Sequence, residues 1–284
     1  MPDNDPIRPI QPTDIEAVLA LMVASFPRRD AEYFRQGLTR MAARVVPAGT
    51  QTYGYVIDEK GIKGAVLAIS SRHDYAAASQ VYVNISTWCV APSHRGPLAK
   101  ALYDRAGGSP DMVTTNLSAA KHTLRTLDNL GFRPVSSGQF VALASAAGRK
   151  DARMVSLSEA SRLGLATCEG KTLDDHAARG CLAGALVAED RLLPLIFLQR
   201  RIKSVLTGGQ LIYCADQALL LRHAGAVLPW LRRQGKIALI LDASAAIPGL
   251  YGRFLAGKAA KYLRGAAPVM AVDHTYSEMY YLGF

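Results

Sequence analysis

Residues Val81 to Val90 leave the chain the least choice of conformation. Five of these ten are β-branched, and Tyr82 and Trp88 add aromatic surface, the make-up of a strand packed on a pleated sheet. Pro92 stops the strand, since proline brings no N–H to a ladder. Arg95–Ala106 then sets Leu98, Ala99, Leu102 and Ala106 at helical spacing and ends at Gly107-Gly108, where the helix can no longer continue. A strand that turns within a few residues into a helix commits the surrounding chain to an α/β arrangement.

The elements on either side agree. Ile7–Ile10 reads as a short strand ending before Pro12, and Thr13-Asp14-Ile15-Glu16 as a helix cap followed by Ile15, Val18, Leu19 and Met22 on one face. A second helix is expected over Ala31–Ala43, between Pro27 and Pro47. Tyr53–Asp58 and Lys63–Ser70 form a hairpin across Glu59-Lys60-Gly61. Met112–Asn116 is a strand, Ala119–Leu130 a helix closed by Gly131, and Gln139–Leu143 a last strand. The order is β-α-α-β-β-β-α-β-α-β.

Ala144–Asp151 is small and polar and reads as a linker, and 284 residues suit two domains, 1–146 and 152–284. After it, Ser158–Leu165 looks helical, and Cys181–Ala188 and Leu193–Ile202 form a hairpin across Glu189-Asp190-Arg191. Gln210–Ala215 is a strand, Asp216–Arg233 a helix with an aspartate cap, Ile237–Leu241 a strand, and Thr275–Leu282 a closing strand. This repeats the first order with one helix fewer. The second half is either a pseudo-repeat of the first or an unrelated α/β appendage.

Lys and Arg number 33 against 23 Asp and Glu, a formal charge of +10. Residues 1–150 carry 17 against 12 and residues 151–284 carry 16 against 11, so the surplus forms no basic tail. It favours anionic ligands generally. No apolar run reaches the roughly 18 residues that cross a bilayer, and the first residues lack the apolar core of a signal peptide; a cytoplasmic, membrane-free protein is expected. Cys89, Cys168, Cys181 and Cys214 show no C-x-x-C spacing, and no metal site is expected.

The stretch from Trp88 to Leu102, containing Val90-Ala91-Pro92 and Arg95-Gly96-Pro97-Leu98-Ala99, resembles the coenzyme-A-binding motif of the GNAT acyltransferase superfamily. In that motif a strand ends in V-x-P and the chain enters a helix through R-G-x-G-x-G/A. Leu127-Asp128-Asn129-Leu130-Gly131-Phe132 resembles the L-G-F that closes the last helix of such domains, and Ile7–Ile10 with Asp14-Ile15 matches their opening. The resemblance implies an α/β (α+β) fold with a mixed central sheet flanked by helices, clear in the first half and present only as element order in the second. It implies acetyl-CoA or another acyl-CoA as co-substrate, bound by Cys89, Val90, Arg95, Gly96, Ala99, Lys100 and Asn116. Amides at the helix start and the helix dipole would face the pyrophosphate. The middle glycine is absent, and Pro97 removes one N–H donor.

Domains of this kind often carry a carboxylate on the strand before the motif and a tyrosine four residues before the L-G-F glycine. Here that strand holds no acid, and Leu127 stands at the tyrosine position. Substitutes are His122, whose ordinary pKa suits proton transfer near neutrality, Ser118, and Asn84 on the strand face it shares with Tyr82 and Ser86. Each has a plain alternative: a surface histidine, a helix cap, an exposed edge. Phe26-Pro27-Arg28-Arg29-Asp30 is either an acceptor-side loop for an anionic substrate or a solvated basic loop. Between Ala243 and Val272 there is no acid, and Pro248–Phe254 with Lys258, Lys261, Tyr262 and Arg264 mixes glycine, aromatics and charge. This segment stands where a repeat would place its last helix, and reads as a lid or anion site, a nucleic-acid contact, or a basic loop.

Three functions follow. The first is acyl transfer from a CoA thioester to an amine or hydroxyl by direct attack. The second is acyl-CoA binding or scaffolding without chemistry. The third and weakest is a nucleic-acid module, marked by steep salt dependence.

Overall fold

Caps and turns set the limits of the elements. In the computed structural model, which describes residues 5–75, 78–146, 151–202, 206–266 and 272–283, β1 (Ile7–Pro9) leads into α1 (Ile15–Ser25). The Asp14 carboxylate accepts the Gln11 amide at 2.7 Å, while Glu16, the acid three residues after Thr13 that was expected to support the cap, pairs with Arg35 at 2.9 Å instead. Asp30 caps α2 (Ala31–Ala42) by accepting the Tyr33 amide at 2.8 Å. Then come β2 (Gly54–Asp58), β3 (Ile62–Tyr75), β4 (Ala78–Val90), α3 (Pro97–Ala106), β5 (Val113–Asn116) and α4 (Leu124–Asn129).

The chain continues with β6 (Arg133–Ser145), β7 (Ala152–Val155), α5 (Leu157–Arg162), α6 (Thr167–Ala177), β8 (Leu182–Ala188), β9 (Arg191–Arg201) and β10 (Thr207–Cys214). Glu189 and Asp190, with φ of 50° and 54°, make the two-residue turn between β8 and β9, as twisted hairpins require. After α7 (Gln217–Arg222), α8 (Ala224–Arg233), β11 (Ala238–Ala243), β12 (Leu250–Arg264) and β13 (Val272–Asp273) comes α9 (Glu278–Tyr281).

Two compact units emerge: Met1–Pro134 with Lys261–Ala267 and Tyr276–Phe284, and Val135–Ala260 with Pro268–Thr275. The division falls within β6, after Pro134, whereas the expected linker was 144–151. β6 ladders onto β11 from Gly138↔Ala243 to Ala142↔Leu239, which ties it to the second unit; of the linker, residues 147–150 lie outside the described residues.

In the first unit the strand order is β1-β2-β3-β4-β5, closed by the end of β12, where Tyr262↔Asn116 and Arg264↔Thr114 pair antiparallel. Only β4 and β5 run parallel, joined by the crossover helix α3 that a parallel pair needs. α1 and α2 cover one face, burying Val18, Leu19, Met22, Phe34, Leu38 and Met41 against Leu67, Ile69 and Cys89. On the other face α3 and α4 bury Leu102, Tyr103 and Leu127 against Val66, Val83 and Ile85. Each such side chain contributes about 1.5–3 kcal/mol.

The second unit has the order β7-β8-β9-β10-β11-β6, again with one parallel pair, β10 and β11, and with β13 added antiparallel to β10. Two helices lie between its first and second strands and two more cross between its parallel strands. α8 packs Val227, Leu228 and Leu231 against Phe197, Leu211 and Leu239.

Several expectations need correction. The segment Thr275–Leu282 is not a closing strand: Ser277 accepts the Met279 amide at 3.3 Å and opens α9, whose Glu278, Met279 and Tyr281 are buried. Pro248–Arg264 is neither lid nor loop over most of its length but the strand β12. Arg253 and Lys258 stand exposed along it, whereas Lys261 is buried and its ammonium donates to Leu117 O. The helix expected over 216–233 breaks at His223, whose backbone (φ −112°, ψ 20°) leaves the helical region. The last helix of the first half shrinks to α4 plus a 3₁₀ turn at Lys121–Thr123. No helix among the described residues is long and apolar enough to cross a membrane.

Candidate functional site in the first unit

β4 and β5 share a short ladder, Tyr82↔Val113, Val83↔Thr114 and Asn84↔Thr115. β5 ends one residue later, whereas β4 runs on to Val90. Two β4 residues are squeezed in opposite β3, where the register slips between Ala65 and Leu67 and Thr87 takes a φ of 49°. A bulge of this kind bends a strand and sharpens its twist. The strand departs from its parallel neighbour and leaves a wedge whose wall is β4 main chain.

The bulge also sorts the side chains. Asn84 and Ser86 face the α1/α2 side and Val83 and Ile85 the α3 side; beyond the bulge Cys89 returns to the α1 side and Val90 to the α3 side. Asn84 donates weakly to Thr115 O and Oγ1 at 3.4 Å. Its Oδ1 accepts the Glu278 amide at 2.7 Å. Ser86 Oγ donates to Glu278 Oε2. On the other wall, Asn116 Nδ2 donates to the Tyr103 hydroxyl at 2.7 Å, and Trp88 meets the Tyr103 ring edge-on at 4.9 Å. The Trp88 indole N–H is buried and without a hydrogen-bond partner among the described residues. Burial drives the Tyr103 hydroxyl well above the ordinary tyrosine range, against the Asn116 hydrogen bond; it keeps its proton.

Past β4, the 3₁₀ turn Pro92–His94 is pinned by His94 Nε2 to Glu59 at 3.2 Å and by Arg95 Nε donating to Val90 O at 3.3 Å. Gly96 then opens α3 at φ 108°, ψ −136°, a backbone conformation reserved for glycine. Pro97 takes the first helical position, and the Lys100 amide already bonds Gly96 O at 3.0 Å. The amides of Leu98 and Ala99 remain as first-turn donors. Ala99 is buried, which lets the helix start lie close to the sheet. Beside it, Pro97, Lys100, Ala101, Asp104, Asn129 and Leu130 line an open groove of about 450 Å³.

The expected site residues thus divide. Arg95, Gly96, Ala99 and Lys100 gather at the start of α3, and Asn84 and Asn116 stand on the two walls of the wedge. Cys89 turns into the α1 core, where burial pushes its thiol up to about 12. Val90 packs under α3. Ser118 and His122 are exposed beyond β5 and share no hydrogen bond with Asn84 or Ser86. Phe26–Asp30 serves α2: Asp30 caps it, and Arg29 lies over the Tyr33 ring at 4.3 Å. Tyr103 and Glu278 were not singled out from sequence. Tyr103 read as one more core residue of α3; Ser277, a cap residue directly before Glu278, was the available signal for a helix there.

No protein-family profile and no curated protein sequence matches this chain. Solved structures do. A GCN5-related N-acetyltransferase from Kribbella flavida is 16% identical, with a TM-score of 0.54 over 90% of this chain and 71% of that one. The chain has the GNAT fold. A second GCN5-related N-acetyltransferase, from Anabaena variabilis, is 12% identical, with a TM-score of 0.51 and the same coverage, 90% and 71%. The bulged β4, the wedge beside it and the glycine-opened α3 are this chain's version of the strand–turn–helix that its sequence motif resembled, now seen within the GNAT fold. Gly131, at φ 76°, ends α4 as the L-G-F pattern requires, and Phe132 returns to the core. Among the described residues, no group of three or more His, Cys, Asp or Glu is placed to hold a metal ion.

Proposed function

We propose that the first unit binds an acyl-coenzyme A and transfers its acyl group, acetyl in the simplest case, to an amine or hydroxyl acceptor by direct attack. The observation that carries this reading is the wedge: β4 leaves β5 after Asn84 and runs into a helix start with free amides. The β4 main chain past Asn84, no longer laddered to β5, matches the amides of a pantetheine arm. Gly96, Leu98 and Ala99 offer N–H groups to a pyrophosphate, and Arg95 and Lys100 offer positive charge nearby. Pro97 leaves that cradle one donor short. Positioning of the thioester and polarisation of its carbonyl by main-chain N–H would supply most of the rate. No covalent intermediate is invoked, and Cys89, the cysteine in the motif, keeps its proton in the core. His122, as a proton-transfer group, and Ser118, as a hydrogen-bond donor to the thioester, are tested by alanine at each, read by turnover.

We read the second unit as a GNAT-like repeat that does not share this task. Strand order and sense support the repeat. The counterpart of the wedge, between β10 and β11, is filled by the chain itself: Val272 and Asp273 pair with Cys214 and Tyr213, and the His274 amide donates to Ile212 O at 2.8 Å. Where the first unit presents free amides, the Asp216 carboxylate takes the Leu219 amide at 2.9 Å.

Calorimetry with acetyl-CoA and longer acyl-CoAs, paired with free-thiol release over an amine panel, tests the proposal. Binding with acceptor-dependent release is expected. Binding without release favours a non-catalytic acyl-CoA protein, a reading supported by the missing glycine and by Leu127 at the tyrosine position; no binding defeats both.

A further inference from the structure

We propose that Glu278 is the proton acceptor of this reaction, acting through the Ser86 hydroxyl; the inference rests on the acyl-transfer reading of the first unit. Glu278 is 1% exposed. Withdrawing a carboxylate from water costs several kcal/mol unless hydrogen bonds or charges compensate, so a buried glutamate at this point calls for a reason. Docking of the segment is not that reason, because other groups hold it. Leu282 lies over Gly37, where an added Cβ would come within 2.3 Å of it. Arg40 Nη1 donates to Tyr281 O at 3.2 Å, the Tyr33 hydroxyl donates to Gly283 O at 3.0 Å, and Met279 and Tyr281 are buried.

Placement supplies the reason. Asn84, the last β4 residue laddered to β5, receives the Glu278 amide, and Ser86, two residues on and on the same face, donates to its carboxylate. The acid therefore stands where the wedge opens, on the side away from α3. Its charge is felt by the Tyr103 hydroxyl across the strand. Of the titratable groups around it, the Tyr103 hydroxyl of α3 feels its charge, Arg264 from the end of β12 acts on that same hydroxyl, and Arg44 lies at 5.8 Å over the ring of Tyr281, on the same helix as Glu278. The β4 neighbours are neutral.

The step balances as follows. The neutral amine forms a C–N bond to the thioester carbon while the carbonyl π pair moves to oxygen. The amine proton passes to Ser86 Oγ as the serine's own proton passes to Glu278 Oε2. When the carbonyl re-forms, the C–S bond breaks and the thiolate leaves with the pair. The carboxylic acid returns its proton along the same hydroxyl to the thiolate.

The test compares wild type with Glu278→Gln, Glu278→Asp and Ser86→Ala in acetyl-CoA calorimetry and in thiol-release rates from about pH 6 to 9. Glu278→Gln should lower kcat about a hundred- to a thousandfold while leaving acetyl-CoA affinity within about threefold. Read with a weakly basic acceptor that stays neutral over this range, such as an arylamine, it should also remove the limb of kcat/KM that falls toward acid, because only the ionised carboxylate accepts a proton. Glu278→Asp should recover part of the rate and restore the limb. If the glutamine variant does not fold, Ser86→Ala carries the test, since it leaves the carboxylate in place and should abolish the same limb. A limb retained in the folded glutamine variant, or in Ser86→Ala, overturns the proposal. Wild type that fails to bind acetyl-CoA, or binds it and releases no thiol with any acceptor, overturns the acyl-transfer reading itself and this proposal with it.

Discussion

Replacing Gly96 by alanine isolates the cofactor turn from everything around it. Gly96 has a φ of 108°, and a Cβ built there meets nothing within 4 Å, so the substitution introduces backbone strain and no clash. Holding an alanine in that region costs of order 1–3 kcal/mol. The turn can answer in two ways. If packing of Leu102, Tyr103 and Ala106 holds the helix start in place, the full strain appears as lost stability, a fall in Tm of roughly 2–10 °C for a unit of this size. If the turn relaxes, stability recovers, but the Leu98 and Ala99 amides re-aim and acyl-CoA affinity falls about 10- to 100-fold. Gly164 is the matched control: its φ is 92°, its Cβ direction is equally open, and it sits between α5 and α6 in the second unit. Gly164→Ala should cost similar stability and leave affinity unchanged. Scanning calorimetry and titration with acetyl-CoA on both variants read the two effects. Equal loss of affinity in both variants, or no loss of stability or affinity in Gly96→Ala, would refute the role given to this turn.

Burial of three thiols predicts an alkaline weakness. Cys89 and Cys214 are pushed up to about 12 and Cys181 to about 11, each by desolvation. Above about pH 9 the unfolded chain loses these protons first, so stability falls as pH rises, by about 1 kcal/mol per thiol at pH 10. Urea titrations at pH 8 and pH 10 check it, and replacing Cys89 and Cys214 by alanine should shrink the difference. Before unfolding, a thiol reagent should label exposed Cys168 fast and the other three slowly. Leu127→Ala, at a fully buried α4 position, should cost about 2–5 kcal/mol, read as a lower urea midpoint; a tyrosine-like role for this position in catalysis predicts instead a loss of turnover with stability kept.

Much of the first unit was legible because its signals are local. Val81–Val90 declared a strand by branching, Arg95–Ala106 a helix by spacing, and Gly131 the turn that ends α4; the fold of the structurally similar solved proteins agrees. The motif residues Arg95, Gly96 and Ala99 do lie together at the start of α3, because a strand–turn–helix is a local structure. Local signals misled where a segment lies far in sequence from its partners. Thr275–Leu282 alternates enough to read as a strand, and only docking against α2 and β4 makes α9 the better structure. β12 carries glycine and lysine that look like loop, and becomes a strand because it pairs with β6 and, over its last residues Tyr262–Arg264, with β5.

What the sequence determined alone was therefore the order of elements from β1 to β6 and the strand–turn–helix at Val81–Ala106, decided by interactions within a few residues. Tertiary structure decided the chemistry of the wedge. Ser86 and Glu278 are 192 residues apart, and Tyr103 reaches Asn116 only because α3 crosses back over the sheet. Such meetings leave no periodicity in the chain, since they depend on chain closure and packing rather than on neighbouring residues. The strand that lacks an acid of its own receives one from the segment that returns to it.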